Sequence, residues 1–400
     1  MKKLLALSLI LITFLTSTGF LGFFGLGSKT ITDPVLTAFE SDNMPQANYV
    51  YPLSGDRALT VRTMRSGSTY NYAQYIYDAA ADRSYPITMR KKDTDTWNTI
   101  IREAIGKNSK DLRLYLKLME EEGPAALLTY ERLSVYSVGD RYAYCASSLF
   151  SGLLDCRTGE LLPVDPVLDI SYITPWDELL RYDRLDRGMR FSLMDLQGHI
   201  LHTADVDTGD CILPVIQLLE DGLCIILSDN LSRMEDSVIS CVLLDRELNT
   251  SSVITVAEAY PIYLIKEAAR AVKTGHFLLS TGEGLLVIPD EGGECLLISE
   301  DNGEMTATVT TLPSDQLKSA DKSHDMIHVI GFAQDGSCAL LSTKNSGLYK
   351  LDMNTLTLSR QMTQMELDSY DLIFSDMMGM RWNGSEYAVY PNGVMRVQNR

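Results

Sequence analysis

"GLYKLDMNTLTLSR", Gly347 to Arg360, reads as a short strand, a tight turn over Asp352 to Asn354, and a second strand. Apolar residues alternate with polar ones on both sides of the turn, and Asp and Asn turn the chain by accepting hydrogen bonds from backbone amides just ahead of them. Variants recur at "YIYDAAADRSYPIT" around Asp78, "GLLDCRTGELLPV" around Asp155, "FSLMDLQGHILHT" around Asp195 and "CVLLDRELNTSSVITV" around Asp245. Two more follow, "GLLVIPDEGGECLLIS" around Asp290 and "EYAVYPNGVMRVQ" around Pro391. Most of these landmarks are spaced by about 40 to 50 residues, the span of a four-stranded repeat.

A second landmark precedes most of them. Glycine turns stand before an apolar strand in "SGDRAL" at Gly55, "VGDRYAY" at Gly139, "EDGLCIIL" at Gly222, "KTGHFLL" at Gly275 and "QDGSCALL" at Gly336. Each unit then reads as strand A, glycine turn, strand B, variable loop, strand C, Asp turn and strand D. Short strands with such regular turn signals indicate a radially repeated all-β architecture. The same strands would also fit a two-domain β-sandwich.

The turns in "LDCRTGELLPV", Leu154 to Val164, and "VDTGDCILPV", Val206 to Val215, resemble those of quinoprotein-like and related β-propeller repeats. The chain thus looks like a β-propeller, and its seven units suggest seven four-stranded antiparallel blades over residues 48–400, preceded by a linker at 29–47. Those repeats place a Trp after the turn, whereas Pro163 and Pro214 stand nearby here, so no quinone and no other cofactor is expected. Gly-His and Trp-Asp pairs of the standard WD repeat are absent as well.

Two segments interrupt the rhythm. Within 93–124, Trp97, Ile100, Ile101, Ala104 and Ile105 share one helical face. After Gly106, Ser109 can cap a second helix carrying Leu112, Tyr115, Leu116 and Met119. This helical hairpin is expected to fold onto the propeller without being needed to close it. Residues 300–325, polar throughout, read as a long surface loop.

The first 28 residues combine Lys2 and Lys3 with an apolar run, the pattern of an export signal. Apolar character continues to Gly27, so residues 4–27 are also long enough to act as a membrane tether if uncut. Either form places the remainder outside the cytoplasm. A formal charge of −18 argues against nucleic acid as a partner, because phosphate recognition needs a clustered basic surface. Seven cysteines with no CxxC spacing read as buried hydrophobes, and if any pair bonds, Cys224 with Cys241 is the expected one.

In an up-and-down four-stranded blade, A–B and C–D turns share one face, while B–C loops and D–A crossings share the other. Both insertions fall on the second face, with the longest B–C segments, "RSGSTYNYAQ" near Tyr70, "YDRLDRG" near Arg184 and "SDNLSRMEDS" near Arg233. A rigid scaffold carries its binding groups on such loops. Arg181, Arg184 and Arg187 are the candidate partner-binding residues there, since guanidinium forks pair with carboxylates. His324 and His328 enter a strand, where i, i+4 spacing does not converge on a metal, and no catalytic or metal site is assigned. The reading is an exported binding or scaffold module for a protein, peptide or glycan. The alternative is an extracytoplasmic hydrolase or lyase with carboxylates in the central channel.

Overall fold

The computed structural model describes residues 36–39, 43–105, 110–207, 215–219, 222–228, 239–256, 278–280, 284–287, 294–301, 304–311, 327–333, 338–343, 347–352, 355–362, 386–390 and 393–397, with single residues 365, 382 and 384. Among them lie seven antiparallel sheets, six of four strands and one of three. The first four sheets follow the A-B-C-D frame. They comprise Tyr49–Pro52, Arg57–Ser66, Thr69–Asp78 and Arg83–Pro86; then Ser134–Val138, Tyr142–Ala146, Ser151–Asp155 and Leu161–Pro163. The third holds Tyr172–Ile173, Leu179–Leu185, Gly188–Met194 and Ile200–Val206, and the fourth Val215–Leu219, Gly222–Ser228, Ile239–Asp245 and Thr250–Val256. In the sixth sheet, Gly347–Asp352 and Thr357–Met362 are the C and D strands of "GLYKLDMNTLTLSR", after Ile327–Phe332 and Cys338–Thr343.

Among the described residues, the first four sheets pack face to face in chain order. One apolar cluster joins the first sheet to the second, another the second to the third, and a third the third to the fourth. The seventh sheet touches both its neighbours: Met395 and Val397 pack with Leu340 and Leu348 of the sixth, Val389 and Val394 with Val50 and Ala58 of the first. Chain-ordered antiparallel sheets whose last member packs on the first form a β-propeller. Ahead of the seventh sheet the chain runs close against the sixth, for Trp382 forms an isolated bridge with Gly331 and a Cβ there would fall 1.7 Å from the Trp382 carbonyl oxygen.

Closure also uses the N-terminal region. Leu36–Phe39, inside the stretch read as a linker, pairs antiparallel with Gly393–Val397 and takes the outer position of the seventh sheet. First and last strands of the described chain thus share one ladder.

The fifth sheet departs from the sequence reading. Glu304–Thr311, read as part of the 300–325 loop, is its outer strand and pairs with Glu294–Asp301, preceded by Gly284–Val287 and Leu278–Ser280. The register Asp301↔Glu304 brackets Asn302-Gly303, a strong two-residue hairpin signal. The frame shifts accordingly, and Asp290 falls between strands B and C, outside the described residues.

Local chemistry makes the other Asp landmarks. Asp155 Oδ1 accepts from the amides of Arg157 and Thr158 at 2.9 and 3.1 Å, and Asp78, Asp195, Asp245 and Asp352 make corresponding turns. The glycine-turn landmark lies beside them: Arg141 of "VGDRYAY" reaches Asp155 through Nε and a terminal nitrogen at 2.9 and 2.7 Å, and Arg57 of "SGDRAL" lies 3.3 Å from Asp78. Neighbouring sheets are braced on this face too. Asp177 of the third accepts from the Arg141 and Tyr142 amides, and Asp56 of the first accepts from the Glu386 amide.

Burial opposes the charge on Asp155, but the Arg141 fork and the two turn amides outweigh it and hold the carboxyl below its ordinary value. The folded pKa therefore lies under the unfolded one of about 3.9, so the pair stabilises the fold above that pH and stops doing so as pH falls through the folded value. Arg141→Ala is expected to lower the melting temperature at neutral pH and to shrink the gap from wild type on acidification. Parallel melting curves from neutral to strongly acidic pH would contradict this.

Candidate interaction surface

The opposite face carries the additions to the frame. In the first sheet, strand A pairs only with Ala58 to Val61 and strand D only with Tyr75 to Asp78. Strands B and C run on together, through Arg62↔Ala73, Thr63↔Tyr72, Met64↔Asn71, Arg65↔Tyr70 and Ser66↔Thr69, as a two-stranded ribbon beyond the sheet. "RSGSTYNYAQ", expected as a loop, is thus mostly strand, turned at Gly67 with φ 64°. Asn48 sits where strand A begins: its amide donates to the Val61 carbonyl, and its side-chain oxygen accepts from the Thr63 amide at 2.6 Å.

The helical hairpin stands beside this ribbon as α1, Thr94–Ile105, and α2, Lys110–Glu122, followed by one turn, α3, Leu127–Tyr130. The expected faces are buried through Trp97, Ile100, Ile101, Leu112 and Met119, while Ala104 is exposed. Ser109 lies outside the described residues. These side chains form one cluster with Leu59 and Ile76 of the first sheet and Leu154 of the second. The helices are therefore core rather than ornament, because removing them would uncover the wedge between two sheets.

Buried polar groups weld the insertion in place. Gln74 Nε2 donates to the carbonyls of Leu128 and Glu131 at 2.7 and 2.8 Å, and its Oε1 accepts from the Leu133 amide. The Glu131 carboxylate accepts from Tyr115 Oη at 2.9 Å and Ser148 Oγ at 2.6 Å, linking α2 to the B–C turn of the second sheet. Burial and Glu131 together push the Tyr115 hydroxyl pKa up, so it stays a donor. Sequence reading missed both residues; an isolated Gln or Glu near a strand carries no signal of its buried partners.

Around this framework the surface is aromatic. Tyr136 is 57% exposed and Tyr70 55%, with Tyr49, Tyr130, Met64 and Leu114 also exposed. The Arg132 guanidinium lies 4.4 Å from the centroid of the Tyr49 ring.

The three arginines predicted as a rim lie in the third sheet, on a hairpin rather than a loop. The register Leu185↔Gly188 leaves only Asp186 and Arg187 at the tip. Arg181 and Arg184 are three residues apart on one strand, so they point to opposite faces and do not converge. Arg181 pairs with Asp183 at 2.7 Å, and Arg190 pairs through two nitrogens with Asp205. Arg184 and Arg187 are exposed. Beside them Tyr172 stacks on Tyr182 at 6.4 Å, and burial with that neighbour pushes the Tyr172 hydroxyl up to about 12.

Cys224 and Cys241 lie on neighbouring strands, as expected, both buried and free. Among the described residues no group of three or more His, Cys, Asp or Glu side chains is placed to hold a metal ion.

Neither a protein-family model nor a curated protein sequence matches this chain. Solved structures similar to it include the β-propeller domain of Myceliophteria thermophila Cps50 (Swd1), 11% identical, with 90% of this chain and 98% of that one aligned and a TM-score of 0.44. KlHsv2 with its loop 6CD replaced by a Gly-Ser linker aligns over 86% of this chain and 90% of that one, at 11% identity and a TM-score of 0.41. PorZ, a bacterial surface component of the type-IX secretion system of Porphyromonas gingivalis, aligns over 90% of this chain and 48% of that one, at 11% identity and a TM-score of 0.42. The sheet order and closure described above give this chain a β-propeller fold.

Proposed function

We propose that this protein is an extracytoplasmic binding module that holds a protein partner on its insertion-bearing face. The asymmetry between the two faces supports the reading. On one, turn carboxylates are used up by turn amides, arginines and neighbouring sheets. On the other, a projecting ribbon, a helical hairpin and exposed tyrosines stand on a welded base. Aromatic side chains and Arg are the residue types that protein interfaces enrich. Export rests on the basic and apolar start of the sequence.

Arg181, Arg184 and Arg187 belong to this face in the proposal, with Arg184 and Arg187 expected to contribute most because Asp183 engages Arg181. Replacing all three by Ser is expected to reduce capture of the native partner from cell-envelope extract severalfold, with little change in melting temperature, since exposed ion pairs stabilise weakly. The control is Arg157→Ser, which removes an exposed pair with Asp140 on the turn face. Equal capture by all three proteins, or a loss confined to the control, would refute the assignment of the face.

A further inference from the structure

Among the described residues, no strand pairs with the edge of the first sheet's ribbon beyond Asn48. Ser66↔Thr69 closes the hairpin across two residues, so Ser66, Met64 and Arg62 exchange hydrogen bonds with strand C, and the residues between them face the other way. The contacts at Asn48 fit this alternation, since the Val61 carbonyl and Thr63 amide both meet it. Asn48 takes the last position in line with strand A. Past it, the Thr63 carbonyl and the Arg65 amide and carbonyl point along the edge where strand A would continue. Sheets usually blunt such edges with Pro, bulges or a covering segment.

Charge sets this ribbon apart from the rest of the molecule. From Arg57 to Tyr77 there is no Asp or Glu, while the chain as a whole carries −18. Arg62 and Arg65 are exposed on opposite faces of the strand, Arg62 beside Met64 and Arg65 opposite Tyr70.

We propose that this edge is the docking site for an extended, acidic peptide segment of a partner protein, which adds as a strand in line with Tyr49–Pro52. Main-chain hydrogen bonds to Thr63 and Arg65 would supply sequence-independent affinity, as in other strand additions. Alternate side chains of the incoming strand fall on the two faces and meet Arg62 and Met64 on one side, Arg65 and Tyr70 on the other. A second copy of this chain is disfavoured as the occupant. Pairing two such ribbons edge to edge would set Arg62 and Arg65 of one against those of the other, and like charges on adjacent strands repel.

The inference rests on the proposed function and deepens it by naming one edge and one chemistry. The probe is a fluorescent, end-capped peptide of alternating Glu and Val, compared with its Lys and Val counterpart by polarisation. Wild type is expected to bind the acidic peptide saturably and the basic one not at all. Arg65→Pro removes the edge-facing amide without touching the ladder to strand C, so binding should fall about tenfold or more at an unchanged melting temperature. Arg62→Glu with Arg65→Glu should reverse the preference between the two peptides. No saturable binding of the acidic peptide up to about 1 mM, or undiminished binding by Arg65→Pro, would overturn the proposal. Capture of the native envelope partner separates this inference from the broader reading. Capture that survives Arg65→Pro but is lost when Tyr130 and Tyr136 are replaced by Ala would reject the edge and keep the face. Capture that survives both changes would reject the two together.

Discussion

Trp97→Ala is expected to cost about 3–5 kcal/mol of unfolding free energy, as truncation of a large aromatic in a packed core does. Trp97 is fully buried, packs edge-on against Phe150 with ring centroids 5.3 Å apart, and sits where α1 fills the wedge between the first and second sheets. A protein whose net stability is of the order of 5–15 kcal/mol would lose a large part of it. Trp97→Phe should cost much less, because the indole Nε1 has no hydrogen-bond partner among the described residues to lose. Replacement of 93–124 by a Gly-Ser linker should then destabilise at least as strongly as Trp97→Ala, contrary to the tolerance expected from the strand pattern. Urea titrations read these differences as shifts in midpoint at similar slope. A midpoint for Trp97→Ala close to wild type, or a linker variant that unfolds cooperatively near the wild-type midpoint, would show the helices to be dispensable.

Removal of the chain through Phe39 should be nearly as damaging, by about 2–4 kcal/mol, because the four paired positions from Leu36↔Val397 to Phe39↔Val394 lose their ladder hydrogen bonds. The damage should start at the other terminus: Gly393–Val397 becomes an uncovered edge, prone to proteolysis and to pairing with other chains. A chain beginning at residue 29, which keeps the strand, is the comparison. Equal midpoints and equal C-terminal proteolysis rates for the two truncations would remove the strand from the closure of the ring.

Both effects concern parts of the molecule that the repeat pattern left outside it, the insertion and the N-terminal stretch. The proposed partner-binding groups have the same character. Each arginine of "RYDRLDRG" is plain in the sequence, yet whether the three meet depends on where the hairpin turns, and a two-residue turn at Asp186 and Arg187 places Arg181 and Arg184 on opposite faces. Absence of acids between Arg57 and Tyr77 is equally plain, but it gains meaning only when strand A stops at Tyr49 and leaves the partner strands to run on alone.

Features set by short-range physics were legible in the sequence. Asp turns form because a carboxylate meets amides two to four residues ahead, and the helical faces of α1 and α2 follow from apolar residues three and four apart; both could be read in place. Strand alternation likewise identified an all-β repeat. Tertiary structure alone decided which strand pairs with which, since any strand edge offers the same unpaired amides and carbonyls. That is why Glu304–Thr311 could be taken for a loop until its register with Glu294–Asp301 was known, and why Leu36–Phe39 gave no sign of its partner more than three hundred residues away. The Gln74 and Glu131 networks belong to the same class, for the cost of burying a polar group falls only when distant segments bring its partners.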